Sequence, residues 1–458
     1  MSRFLLTAWP LPGHLLPQVG IAVALRERGH EVAFYSGESA RATIEQAGFE
    51  LFAFQRVHEQ RVMEIVRTFD RRERLGRPGG GRMLALLRDW LVETIPDQLA
   101  DLRAVLGRWP ADAIATDMSM WGPMLVLWEA DRVPVALCST FMGPMLPGPD
   151  ARLFGLGPAT ARGRLAAATL TRLTELLARP LRRRVDELRA GEGLAPLQES
   201  VNRYTARLPL YIVGNIRALD FDRHDLPPSV HYVGNCAWYP DDDHGERWLQ
   251  EIPTRRPWVH VTESTLAYGE PFLLRTAIDA LAQEPVELIL TTGEQRDEHI
   301  LGRVPLPANV HVTRWLSHDV LLRRCAALVT LGGKSTVLAA AQVGVPMVLV
   351  PTTWDKPDNA RRVTAAGAGI RLSARRLDAQ TLRAAVRQVL REPHYRQAAR
   401  RLADDLAAAP GPSRAAELLE QLVSGNGVES AANGCPAELR VRRLGGRASA
   451  LTVERNQL

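Results

Sequence analysis

An alternation of short apolar runs with longer amphipathic stretches, repeated in two series, restricts this chain more than any other feature. Residues 4–8 form an apolar run that ends in a Pro- and Gly-rich turn at 9–14. A stretch with Val19, Ala22, Val23 and Leu25 on one face follows, stops at Gly29, and gives way to a second apolar run at 31–35. Runs this short suit strands and the periodic stretch between them suits a helix, so the unit is strand–helix–strand with parallel strands and a right-handed crossover. Further strand-like runs lie at 113–116, 133–137 and 211–213. Periodicity fades in the Asp-, Pro- and Gly-rich segment 220–240, and a second series begins. It places strands at 258–262, 286–291, 310–313, 327–330 and 347–350, with helices at 272–282, 320–325 and 335–343 and closing helices at 379–391 and 415–423.

The expected fold class is therefore α/β, with two facing doubly wound, Rossmann-like domains and a cleft between them. A chain of 458 residues is also longer than one core usually supports. The expected division is 1–219 for the first domain, 220–255 for the link, 256–423 for the second domain with its closing helices, and 424–458 as a disordered tail. Ligands of open parallel sheets bind beyond the C-terminal ends of the strands, so the loops there should carry the chemistry.

Several function classes are disfavoured. No apolar run approaches the roughly 20 residues that span a bilayer, and residues 4–9 are too short for a signal-peptide centre, so a cytoplasmic protein without stable membrane insertion is expected. Cys138, Cys236, Cys325 and Cys435 lie far apart without metal-type spacing. The net charge of +6 concentrates around 179–189 and in the tail, without interleaved aromatics, which argues against nucleic acid. Oligomeric state is not encoded.

The most informative run is 314–360. After the strand at 327–330 come Leu331, Gly332, Gly333, Lys334, Ser335 and Thr336, then a helix. A glycine pair at a strand-to-helix turn lets backbone N–H groups converge, and the helix N-terminus adds partial positive charge, which together suit a phosphate. Thr336 offers a hydroxyl and Lys334 a full charge; Lys334 and Lys356 are the only lysines in the chain. A Walker A loop would need glycine where Leu328 stands, so the nucleotide-triphosphatase reading fails.

In sequence context the run is more specific. Trp315-Leu316, Gly332-Gly333, Gly344-Val345-Pro346, Pro351, Asp355, Asn359 and Gly367 resemble the donor signature of the family-1 glycosyltransferases of the GT-B fold, with spacing similar to bacterial natural-product members of the macrolide and polyketide type. Residues 26–32 and 226–234 resemble the family's N-terminal and interdomain patterns, and the similarity runs from about 4 to 423. The resemblance implies that Trp315 stacks on the nucleotide base. It implies that Gly332, Gly333, Lys334, Ser335 and Thr336 cradle the diphosphate, with Thr265 nearby, and that Asp355 and Lys356 face the sugar. Asn359 braces its helix. Four positions depart from the pattern: Leu331 replaces the usual phosphate-binding histidine, Lys356 a glutamine, Ala339 a ribose-binding glutamate and Ser264 a glycine. Lys334 is expected to compensate for Leu331 by reaching the phosphates.

Opposite the donor side, the loop after the first strand holds Pro12-Gly13-His14. A hydroxyl attacking an anomeric carbon needs a base, and a histidine titrating near neutrality serves. The family carries its base at the matching Gly-His, and Asp117, closing another strand, matches the aspartate that orients it; capping of the next helix is the alternative role for Asp117. Segments 59–95 and 141–177 supply Met63, Ile65, Phe69, Leu84, Trp90, Phe141, Met142, Met145 and Phe154, a set suited to a greasy acceptor; Trp90, Phe141 and Met142 are the candidates closest to it. The implied enzyme is an inverting hexosyltransferase that uses a UDP- or dTDP-sugar as co-substrate, with no metal and no cofactor. A catalytically weakened homologue that binds nucleotide or serves as an auxiliary partner is the alternative, motivated by Leu331.

Overall fold

Alternation in the first strand dictates the layering of the first domain: Phe4 and Leu6 point to one face and Leu5 to the other, and each face meets its own buried cluster. The computed structural model describes residues 1–73, 80–148, 150, 151, 169, 172, 173, 175–240, 243–263, 270–293, 296, 298–302 and 305–425. Seven strands build the first sheet: β1 (Arg3–Thr7), β2 (Glu31–Ser36), β3 (Glu50–Ala53), β4 (Ala113–Asp117), β5 (Val135–Ser139), β6 (Leu210–Val213) and β7 (Val230–Tyr232). All pair parallel, in the order 3-2-1-4-5-6-7. The second sheet holds β8 (Trp258–Thr262), β9 (Glu287–Thr291), β10 (Val310–Thr313), β11 (Cys325–Thr330), β12 (Met347–Leu349) and β13 (Gly369–Arg371), also parallel, in the order 10-9-8-11-12-13.

Each order reverses at one place, between β1 and β4 in the first sheet and between β8 and β11 in the second. Connections leaving neighbouring strands to opposite sides open a crevice at such a point. The segments that leave β1, β4, β8 and β11 therefore line the two crevices, and His14, Asp117, Glu263 and the 331–336 turn stand at these strand ends.

The expected domain division needs two corrections. Strand β7 pairs with β6 inside the first sheet, so the segment read as a link from 220 onward contributes an edge strand. Three residues are too few to show a period, which hid it. Second, helix Pro412–Ser424 belongs to the first domain: Ala415, Ala416, Leu418 and Leu419 are fully buried in the cluster of Phe4, Leu25 and Ile212. Glu420 accepts from Arg28 Nη2 at 2.6 Å and pairs with His30 Nε2 at 2.7 Å, which gives His30 a structural role. The two crossings between domains touch, because Gly411 N donates to Val233 O at 2.7 Å. Gly234 beside them adopts φ +105°, and a Cβ there would stand 2.8 Å from that of Ala409. Only glycine fits so close a backbone approach. Among the described residues no helix is long and apolar enough to cross a membrane. The predicted tail at 424–458 lies outside the described residues from 426 onward.

Candidate active site between the domains

Helix Pro12–Glu27 begins directly after β1, with proline in its first turn and no side-chain cap. His14 thus sits on the first helical turn instead of in a loop. The register Thr7↔Thr116 sets the ends of β1 and β4 side by side, tied by the Thr7 hydroxyl donating to that of Thr116 at 2.8 Å. This adjacency brings His14 Nδ1 to Asp117 Oδ2 at 2.5 Å. Asp117 is fully buried, and its second oxygen accepts from Ser119 N at 2.8 Å. A carboxylate only accepts, so the imidazole proton belongs on Nδ1 and Nε2 keeps its lone pair. His318 also lines the cavity, but burial lowers it to about 4 and its ring packs edge-on against His260. Burial thus favours the neutral form of His318.

Across the cleft, β11 runs into the turn and helix Lys334–Gln342. Gly332 has φ +91°, a left-handed conformation that glycine takes without cost and other residues rarely adopt. The first N–H groups of this helix have no side-chain cap, and Ser335 and Thr336 line the cavity with them. The two helix starts converge: a Cβ on Gly13 would stand 3.8 Å from Ser335 Oγ. Two macrodipole N-termini facing one space form an anion-binding environment.

Leu331 is 1 % exposed and packs in the core of the second domain. The polar groups that this turn presents to the cavity are therefore backbone, hydroxyls and Lys334. The Nζ of Lys334 donates to Ser139 O at 2.7 Å, bridging from the 331–336 turn to the end of β5. Burial lowers its ammonium to about 8, against the pull of Asp355 and Asp117. Asn359, fully buried, donates to Gly332 O at 3.0 Å and to Asp355 Oδ2 at 2.7 Å, so it braces the turn and the carboxylate together. Trp315 lies 39 % exposed in the cavity wall, a solvent-facing indole in the cleft. Lys356 lines the same wall. Thr265 and Ser264 fall outside the described residues. Glu263 is spent on a buried ion pair with Arg296 at 2.5 Å.

A cavity of about 1060 Å³ joins both sides. Trp90 and Phe141 line it, as do Val66, Leu91 and Met145. Met142 does not: it is fully buried in a cluster that joins Leu219 of the first domain to Leu316 of the second, so its assignment to the acceptor pocket is corrected. Neighbouring residues of an extended loop point opposite ways, and Met145 takes the place. Met63, Ile65 and Leu84 pack on the core of the first domain; the side chains of Phe69 and Phe154 lie outside the described residues. Sequence reasoning missed Trp354, which lines the cavity with its backbone at φ +60°. That conformation costs a bulky residue about 1–2 kcal/mol. Its only sequence signal is an aromatic directly before Asp355.

Two parallel-sheet domains meeting at their switch points over one cavity define the GT-B architecture. A family model described as Erythromycin biosynthesis protein CIII-like, C-terminal domain, matches residues 275–422. Over 427 residues the chain is 37 % identical to 4'-demethylrebeccamycin synthase of Lentzea aerocolonigenes, covering 92 % of this chain and 100 % of that protein. Among solved structures, the glycotransferase of kitacinnamycin superposes with TM-score 0.72 at 22 % identity over 92 % of this chain and 99 % of the other. The glycosyltransferase VinC, in complex with dTDP, gives 0.67 at 22 % over 92 % and 100 %. The chain belongs to the family-1 glycosyltransferases of the GT-B fold, of the type found in natural-product biosynthesis.

Proposed function

We propose that the protein transfers a sugar from a UDP- or dTDP-linked donor to a hydroxyl of a small hydrophobic natural-product acceptor, with inversion and without a metal. The observation that carries this reading is that His14, paired with Asp117, and residues 333–336 line one cavity from the two domains, with a Cβ on Gly13 falling 3.8 Å from Ser335 Oγ. His14 Nε2 takes the acceptor's proton while the acceptor oxygen bonds to the anomeric carbon. The bond from that carbon to the diphosphate breaks on the opposite face, and the nucleoside diphosphate leaves with the electron pair. Asp117 stabilises the imidazolium, and the helix start, Ser335, Thr336 and Lys334 stabilise the leaving charge. Asp355 accepts from sugar hydroxyls and Trp315 stacks on the base. The dTDP bound to VinC makes a dTDP-sugar the first donor to try.

The test is nucleotide release with UDP- and dTDP-sugars against a panel of phenols and hydrophobic alcohols. Release that depends on acceptor, survives EDTA, gives the inverted anomer by NMR and disappears in His14→Ala supports the proposal. Leu331, turned into the core, favours one second reading, a nucleotide-binding homologue with weak or no turnover. Tight nucleotide binding without any transfer would select it.

A further inference from the structure

Trp354 belongs to the second domain by sequence, yet it packs against the hydrophobic core of the first. Its ring meets Trp90 edge to face, with centroids 6.4 Å apart and planes at 89°. Trp90 in turn lies 6.4 Å from the His14 ring and 5.9 Å from Trp9. Trp90 sits on a π-helical turn, Arg88–Val92, an irregularity that often accompanies function. The next residue in the chain after Trp354 is Asp355, held by Asn359 at the sugar side. One strained residue thus places an apolar wall between the carboxylate of the donor side and the aromatic wall beside His14. Strain of this kind persists only where the surroundings over-determine it. A surface loop has no reason to hold an indole at φ +60°.

We propose that Trp354 is a specificity-determining residue of the acceptor site, supplied by the donor domain, and that it selects flat aromatic acceptors by completing a wall with Trp90. This rests on the transferase reading above. A planar ring offers its face to the edges of both indoles, whereas a bulky aliphatic alcohol leaves them unfilled. Because Trp354 rides on the loop that carries Asp355, filling the sugar side sets the position of the acceptor wall, so donor binding should tighten acceptor binding.

The experiment compares wild type with Trp354→Ala, Trp354→Gly and Trp354→Phe, using 1-naphthol and cyclohexanol as probes and dTDP as the donor-side ligand. Naphthol binding is followed by calorimetry, with and without dTDP, and where transfer occurs the acceptor and donor KM are measured separately. The expected result is naphthol affinity lowered at least tenfold in both the Ala and Gly variants and restored to within threefold in the Phe variant. Cyclohexanol should shift less than twofold, dTDP affinity should hold within twofold, and the dTDP-induced tightening of naphthol should be lost. The Gly variant tolerates φ +60°, so equal losses in Ala and Gly assign the effect to the indole and not to the backbone. Unchanged naphthol affinity in both variants overturns the proposal, as does an equal loss of naphthol and dTDP affinity. Binding is read without turnover, so failure of transfer by the wild type counts against the transferase reading alone.

Discussion

At the scale of single residues, the site depends on two buried charges with different duties. Asp117 has no exposure and both its oxygens are engaged, by His14 and by Ser119 N. Under the proposed mechanism Asp117→Asn preserves the shape and removes the charge that would stabilise the imidazolium, so kcat should fall by roughly 10²–10⁴-fold, the range of positioned acid–base catalysis. Donor KM should change little, and steady-state kinetics with each substrate varied will check both. Lys334 carries a pH signature. Its folded value of about 8 lies below that of an unfolded lysine, so the unfolded chain binds the proton more tightly between pH 8 and 10.5. Stability from this group therefore rises with pH through that window, as burial of the charge is relieved. Donor binding moves the other way, because only the ammonium attracts a diphosphate. Donor KM should climb above pH about 8, and Lys334→Met should flatten that climb; a pH profile as steep in the variant as in wild type removes Lys334 from the donor site.

At the scale of elements, the strand-to-helix turn at 331–336 was readable because its chemistry is local: a glycine that must take φ +91°, a helix start and hydroxyls lie within six consecutive residues. Its support is not local. Asn359 reaches back 27 positions to Gly332 and four to Asp355, and no spacing rule announces that one amide serves both. Asn359→Ala leaves the Gly332 carbonyl and one Asp355 oxygen without this donor in a buried setting, a loss of about 1–3 kcal/mol. Donor KM should rise by about tenfold or more while acceptor KM holds, and thermal melts should show a lower Tm. Equal rises in both constants would mean that the helix Lys356–Ala365 and the turn before it, which bears Trp354, have shifted as a body. The acceptor wall was less legible for a related reason. The loop after β5 has no period, so sequence placed Met142 in the pocket, whereas the backbone turns Met142 to the domain interface and Met145 to the cavity. Trp354 escaped because its partner, Trp90, lies in the other domain.

At the scale of the whole molecule, periodicity reveals that a helix exists but not which core receives it. Helix Pro412–Ser424 follows the second domain in sequence and completes the first in space, covering the face of helix Pro12–Glu27 that strand β1 does not. Both chain crossings therefore lie together at Val233–Gly234 and Gly411, and Arg362 reinforces the junction by donating to Asp220 at 2.7 Å, whose other oxygen accepts from Tyr232 at 2.6 Å. The two chain crossings thus join the domains side by side at one place. Leu418 tests this arrangement. It is fully buried in the first domain's cluster, and Leu418→Ala should lower stability by about 2–5 kcal/mol. Hydrogen exchange should quicken in helix Pro12–Glu27 and β1 while β8 and β11 keep their protection. Because His14 rides on the loosened helix, activity should fall before nucleotide affinity does. Faster exchange in β8 and β11 instead would return the last helix to the second domain.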